Sequence, residues 1–307
     1  EKPKMDKKIE KANASDRITE FFDEIDQEEK LFLKAAEEEI YISPIINNTD
    51  NSQLLQEEPN KVYIQELLRK NNMLVQGASL DPTFADDYGR IKRPLLSNAF
   101  GKSASLVKKG NFILVTSSIP GEGKTHTAIN LALSIAYERD HTVLLIDCDV
   151  ARHGASRALD IAYKPGLVDI LENDDLSVGD VLLRTDIPEL CLISAGKQHD
   201  FVTELLASRR MSDLITEIGE RYDDRVIIFD GPPLLSTPQT QVLSGLVGQV
   251  VFVIEAGKTP QDVAEEALDM IPEEQATGLV MNKCEGISGR SSYYYGYNSL
   301  TKDKQVI

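Results

Sequence analysis

A chain of 307 residues with 41% hydrophobic content is long enough for one large domain with extensions, or for two modest ones. Its formal charge of −17 argues against general binding to nucleic acid, whose phosphate backbone calls for a basic surface. The three cysteines, Cys148, Cys191 and Cys284, form no CxxC pair, so zinc and a disulfide framework are not expected and a reducing cytoplasm fits best. No apolar run approaches the ~20 residues that span a bilayer, and no charged-then-apolar leader opens the sequence. Direct membrane insertion is therefore not expected.

Residues 1–85 form an acidic N-terminal arm and linker. The opening "EKPKMDKKIEKANASDRITEFFDEIDQEEK" is dense in both charge signs. "AAEEEIYISPIINNTDNSQLLQEEPN" then brings Pro44, an Asn-rich stretch and Pro59, which read as linker. "KVYIQELLRKNNMLVQG" reads as one short helix. The arm is expected to be partly disordered and partly helical, serving either as a solvated tail or as a docking arm for a partner.

Residues 86–288 read as one folded domain. "NFILVTS" (111–117), "TVLLID" (142–147), "LCLISAG" (190–196), "RVIIFD" (225–230), "QVVFVIE" (249–255) and "GLVMNK" (278–283) are short apolar runs suited to strands covered on both faces. Helical stretches lie between several of them: "GKTHTAINLALSIAYE" (123–138), "ASRRMSDLITEIGERY" (207–222) and "TPQDVAEEALDMI" (259–271), the last capped by Thr259. Alternating strand and helix predicts an α/β fold, a doubly wound and mainly parallel sheet. Right-handed crossovers then place the loops after the strands on one edge, where ligands bind.

"SIPGEGKT" (118–125) follows the first strong strand and opens the first strong helix, the context of a phosphate-binding loop. Gly121 and Gly123 allow a tight turn that aims amide hydrogens at phosphate oxygens. The loop residues Pro120, Gly121, Glu122, Gly123, Lys124, Thr125 and His126 are the expected nucleotide contacts. Lys124 would neutralise β- and γ-phosphate charge, and the Thr125 hydroxyl would ligate magnesium. The second strand ends "VLLIDCDVAR", which delivers Asp147 and Asp149 to that edge, two residues apart and on one side. "VIIFDGPP" delivers Asp230. Such acids can hold magnesium (Mg2+), and one can accept a proton.

Together "SSIPGEGKT", "LLIDCDVAR" and "VIIFDGPP" resemble the Walker A, A′ and B motifs of bacterial tyrosine kinases, cytoplasmic enzymes built on a P-loop ATPase fold. "RIKRPLLSNAFG" (90–101) is similar to a stretch of the tyrosine autokinases associated with exosortase and exopolysaccharide gene clusters. The resemblance covers roughly 86–297. It implies ATP as phosphoryl donor, magnesium held by Thr125, Asp149 and Asp230, and Asp147 orienting an incoming tyrosine hydroxyl and taking its proton. It also implies that Asn282, with Lys283, borders the adenine. Family members often carry an arginine where Ala151 stands, one position before Arg152.

The same resemblance gives a meaning to "GRSSYYYGYNS" (289–299). Residues 289–307 are expected to be a flexible tail, and the family ends in a tyrosine cluster that neighbouring subunits phosphorylate. Tyr293, Tyr294, Tyr295 and Tyr297 are then the acceptors; the alternative is an aromatic patch on an apolar surface. The family's Glu-x-x-Arg-x-x-Arg ring motif is matched by Asp87, Arg90 and Arg93, with Gly89 and Pro94 placed to interrupt that helix. The implied partners are other copies of the chain and a membrane-bound polysaccharide chain-length regulator. Localisation would be cytoplasmic, peripheral at the inner membrane through that partner. Two rival functions share the pattern: a nucleotide-switched ATPase of the Min and Par type, which carries lysine where Ile119 stands, and a non-catalytic ATP-dependent scaffold.

Overall fold

The computed structural model describes residues 60–76, 82–102, 104–138, 140–221 and 224–284. Within these, the apolar runs become strands because both of their faces find cover. The strands are β1 (Lys61–Val62), β2 (Phe112–Ser117), β3 (Thr142–Asp147), β4 (Leu183–Thr185), β5 (Leu190–Ile193), β6 (Arg225–Asp230), β7 (Gln249–Glu255) and β8 (Ala276–Asn282). They form one sheet in the order β1-β4-β5-β3-β6-β2-β7-β8. From β5 to β8 every pairing is parallel, whereas β4 runs antiparallel to β5 and β1 follows β4.

Side chains alternate between two cores. Phe112, Leu114, Leu144, Ile146, Phe229 and Phe252 enter one, beneath the helices Arg209–Arg221 and Gln261–Leu268. Ile113, Val115, Leu145, Ile228, Val251 and Val253 enter the other, beneath Lys124–Ala136 and Pro82–Phe100. This is the doubly wound arrangement predicted from the continuous apolar runs. Its consequence for function is register: Asp147 pairs with Asp230, and Val115 of the loop-bearing strand pairs with Asp230 on its other side. The carboxyl ends of β2, β3 and β6 therefore meet at one edge.

Several local features differ from expectation. β5 stops at Ile193 because the Ser194 carbonyl accepts the Leu167 N–H at 2.8 Å and Gly196 turns into the left-handed region (φ 81°). The two- and three-residue strands β1 and β4 are too short to carry a periodic signal. Residues 60–76, which the sequence placed in the arm, build an edge strand and the helix Gln65–Lys70 and bury Ile64 and Leu68 completely. The Leu74 N–H donates to Oδ1 of the buried Asn130 at 2.7 Å, which ties this segment to the helix after the phosphate loop. Residues 1–59 lie outside the described residues.

The helix Pro82–Phe100 runs through Gly89 and Pro94 without a break. Tyr88 and Leu95, seven residues apart, are buried on its inner side, and Lys92 Nζ donates to the Ser134 carbonyl at 2.7 Å. Pro94 sits on the exposed side. The inward anchors hold the helix through the hydrogen bond that proline cannot donate.

Leu68→Ala tests whether the 60–76 segment belongs to the fold. Truncating a fully buried leucine costs roughly 2–5 kcal/mol, to be read by denaturant unfolding. A change within about 0.5 kcal/mol, as for an exposed site, would return the segment to the arm.

Candidate nucleotide and metal site

Ser118–Gly123 links β2 to the helix Lys124–Ala136. Gly121 (φ 97°) and Gly123 (φ 101°) both lie in the left-handed region, which side chains other than hydrogen resist. At Gly123 a Cβ would also collide with the Asn282 amide nitrogen. Pro120 and Gly121 form the exposed tip. The amides beyond the turn open the helix, the end that carries partial positive charge.

Three expected nucleotide contacts have other work for their side chains. The Glu122 carboxylate is buried: Ile119 N–H donates to its Oε2 at 2.8 Å, and the Thr259 hydroxyl donates to its Oε1. Asn282 Nδ2 donates to the Glu122 carbonyl at 2.9 Å, and Lys283 Nζ donates to the Gly121 carbonyl at 2.7 Å while pairing with Glu255 at 3.1 Å. The end of β8 thus braces the loop from outside. Thr259 serves this brace instead of capping the next helix, which begins at Gln261. His126 turns its ring toward Phe84, 6.0 Å between centroids, and beside Asn130, where burial lowers its pKa. At position 126 the backbone amide is the part that belongs to the first helical turn.

Lys124 and the three strand-end aspartates come together as expected. Lys124 Nζ lies 2.7 Å from Asp149 Oδ2, 3.4 Å from the Thr125 hydroxyl and 3.9 Å from Asp230 Oδ1, and all three charged groups are buried. Asp147 Oδ1 accepts the Asp149 N–H at 3.0 Å. Its Oδ2 accepts both the N–H (2.8 Å) and the hydroxyl (2.7 Å) of Ser156. Burial raises the Asp147 pKa, and these donors pull against it. Asp230 is wholly buried with neither oxygen hydrogen-bonded. Burial pushes its carboxyl up to about 7, opposed by Lys124 and the nearby Thr125 hydroxyl and reinforced by Asp147 and Asp149.

With the three acids ionised, one ammonium cannot balance three carboxylates, and the unpartnered Asp230 oxygens suit a hard cation. Thr125 Oγ1 and Asp230 Oδ2 converge on one point: a Cβ on Gly154 would meet them at 2.6 and 3.3 Å. Among the described residues no three His, Cys, Asp or Glu side chains form a ready metal cage. Magnesium needs none, since it takes one or two carboxylates and completes its shell with phosphate and water. Thr125, Asp149 and Asp230 fit that role. Asp87, Arg90 and Arg93 sit elsewhere, exposed on the helix Pro82–Phe100. The four tail tyrosines lie outside the described residues. Ser156, whose N–H and hydroxyl hold Asp147, and Gly154, packed too closely beside Thr125 and Asp230 for a Cβ, escaped the sequence analysis because no spacing rule singles them out.

A family model described as an AAA domain matches residues 110–262, a span holding the loop and all three acids. The tyrosine-protein kinase YwqD of Bacillus subtilis (strain 168) is 32% identical over 203 residues, 65% of this chain and 82% of that protein. The chain belongs to the bacterial tyrosine-protein kinase family. Another member of that family, the tyrosine-protein kinase ptk of Acinetobacter johnsonii, is 29% identical over 176 residues, 57% of this chain but 24% of that protein. The VpsO kinase domain shares the family fold with a TM-score of 0.55 and 27% identity, over 66% of this chain and 97% of that one. No helix among the described residues is long and apolar enough to cross a membrane.

The unpartnered Asp230 gives this family member a pH signature. A carboxyl whose folded pKa exceeds its unfolded value takes up a proton on folding, so its burial penalty grows as pH rises through about 7. Without nucleotide or metal, Asp230→Asn should melt above wild type at pH 8, by about 2–4 °C per kcal/mol recovered. The gap should shrink steadily below pH 7 and close only near the ordinary carboxylate range, about pH 4. A gap between the two melting curves that ignores pH would contradict this.

Proposed function

We propose that this protein is an ATP-dependent protein-tyrosine autokinase that phosphorylates Tyr293, Tyr294, Tyr295 and Tyr297 on a neighbouring copy of itself. The observation that carries the reading is Lys124, buried at the start of the loop helix and shared between Asp149 and Asp230. Membership of the tyrosine-kinase family supports a phenol as acceptor. Bound magnesium would neutralise phosphate charge, held by Thr125, Asp149 and Asp230 with water.

Each residue then has a chemical task. Lys124 exchanges its carboxylate partner for β- and γ-phosphate oxygens. The glycine turn donates its amide hydrogens to the same oxygens. The phenol oxygen attacks the γ-phosphorus in line, the bond to the ADP oxygen breaks, and the phenolic proton passes to Asp147. Asp147 Oδ2 already accepts two hydrogen bonds from Ser156, but Oδ1 accepts one and keeps a lone pair, and desolvation makes the carboxylate more basic. Positioning and electrostatics supply most of the rate, as in phosphoryl transfer generally.

Assembly follows from the same reading. Asp87, Arg90 and Arg93 recur every third residue on an exposed helix face, a geometry that lets one copy pair with charges on the next. Four phosphotyrosines would add about −6 to −8 charges to an already acidic protein and loosen such a ring. A membrane-bound polysaccharide chain-length regulator is the proposed activator, which would hold the kinase at the cytoplasmic face and link it to exopolysaccharide synthesis.

Mass spectrometry of the C-terminal peptide after incubation with Mg·ATP tests the activity. Wild type should carry phosphate on the tyrosines and Lys124→Met should carry none. Free phosphate released without any phosphotyrosine would favour the switch ATPase. Charge reversal at Arg90 and Arg93 should reduce assembly size on a sizing column; unchanged size would remove these residues from the interface.

A further inference from the structure

Among the described residues, six carry a buried side-chain nitrogen or oxygen with no hydrogen-bond partner: Ser118, His141, His153, Asp230, Thr237 and Gln239. Ser118 and Asp230 stand at the carboxyl ends of β2 and β6, the edge that holds the phosphate loop, and His153 follows β3 by six residues; Thr237 and Gln239 lie further on, before and at the start of the helix Gln239–Ser244. His141 alone precedes its strand, β3, and its ring stacks on Phe100. Buried polar groups in folded proteins are paired in the great majority of cases. A cluster of unpaired ones at one edge marks where a polar ligand supplies the missing partners. Ser118 and Asp230 belong to the loop and to the strand-end acids, but His153 has no role so far.

His153 is held in an unusual way. It is 7% exposed, and its backbone sits in the left-handed region (φ 52°), a conformation that costs a non-glycine residue roughly 1–2 kcal/mol. Two contacts keep it there. Its own N–H donates to the Asp149 carbonyl at 2.6 Å. The following residue, Gly154, is packed so closely that a Cβ would stand 2.6 Å from Thr125 Oγ1 and 3.3 Å from Asp230 Oδ2. The backbone at His153 is thus anchored to the Asp149 carbonyl on one side and, through Gly154, beside Thr125 Oγ1 and Asp230 Oδ2 on the other, while the buried imidazole Nε2 lacks a partner. Strained, buried and unsatisfied residues concentrate at sites where a ligand completes them.

We propose that His153 is a further substrate-contacting residue, whose Nε2–H donates to a γ-phosphate oxygen of the bound nucleoside triphosphate. The assignment to the terminal phosphate rests on the direction of approach. The loop amides and Lys124 reach the phosphates from the end of β2, whereas His153 stands on the segment after β3. There its N–H donates to the Asp149 carbonyl and Gly154 packs beside Thr125 and Asp230, the residues proposed to hold the metal at the terminal phosphates. The inference depends on the nucleotide-site reading above, and it deepens that reading by adding a residue that distinguishes triphosphate from diphosphate.

The test is calorimetric binding of a non-hydrolysable ATP analogue and of ADP, each with Mg2+, to the full chain. His153→Leu should weaken the analogue roughly ten- to a hundredfold, the range for one hydrogen bond to a charged group, and leave ADP within about twofold. His153→Gln, which keeps an N–H donor, should recover most of the loss. Equal losses for both nucleotides, or no loss, would overturn the proposal. Should His153→Leu fail to fold, wild type answers alone: its His153 Nε2 resonance should move with the analogue and stay in place with ADP, and the reverse would refute the contact. Wild type that binds neither nucleotide would instead defeat the nucleotide-site reading itself.

Discussion

A buried ammonium among buried carboxylates is the constraint on which the rest of the site depends. Lys124 cannot sit out of water without an anion, and Asp149, at 2.7 Å, meets that need. The remaining charge is not balanced, because Asp230 is wholly buried with no hydrogen bond and Asp147 is held by backbone and Ser156 donors. Such a cluster is poised for exchange. It keeps the lysine in place while leaving oxygen ligands that only a cation or a proton can satisfy.

The fold supplies this cluster through register. Parallel pairing of β2, β6 and β3 aligns the strand tips, so the loop, Asp147, Asp149 and Asp230 arrive at one edge without any long-range adjustment. Support comes from two sides. On one, β8 and the segment after β7 hold the loop through Asn282, Lys283 and the Glu122–Thr259 contact. On the other, Ser156 links Asp147 to the segment after β5, since its hydroxyl also accepts the Ala195 N–H at 3.0 Å. The floor of the site is therefore braced from both sides, and Lys124 is the side chain placed to change partners.

Much of this was legible in the sequence, and for a physical reason. Strands covered on both faces must be apolar throughout, so β2, β3, β6 and β7 announce themselves, and a glycine-rich turn ending in Lys-Thr has few other uses between strand and helix. What stayed hidden depends on tertiary context. The carboxylate of Glu122 turns inward because Thr259, 137 positions away, offers a hydroxyl. Residues 61–62 join the sheet only because β4 presents an edge, and Pro94 survives mid-helix only because Tyr88 and Leu95 anchor the opposite side. Gly154 matters through where its backbone lies, and His153 through the left-handed turn that sets its ring, which no residue-type pattern encodes.

The central claim is that Lys124 trades its carboxylate partner for phosphate. A crystal structure with a non-hydrolysable ATP analogue and manganese, located by anomalous scattering, examines it most directly. The account predicts Lys124 Nζ on phosphate oxygens, parted from Asp149, with the metal among Thr125, Asp149 and Asp230. A bound nucleotide that leaves the Lys124–Asp149 pair closed, with the metal away from Asp230, would contradict it.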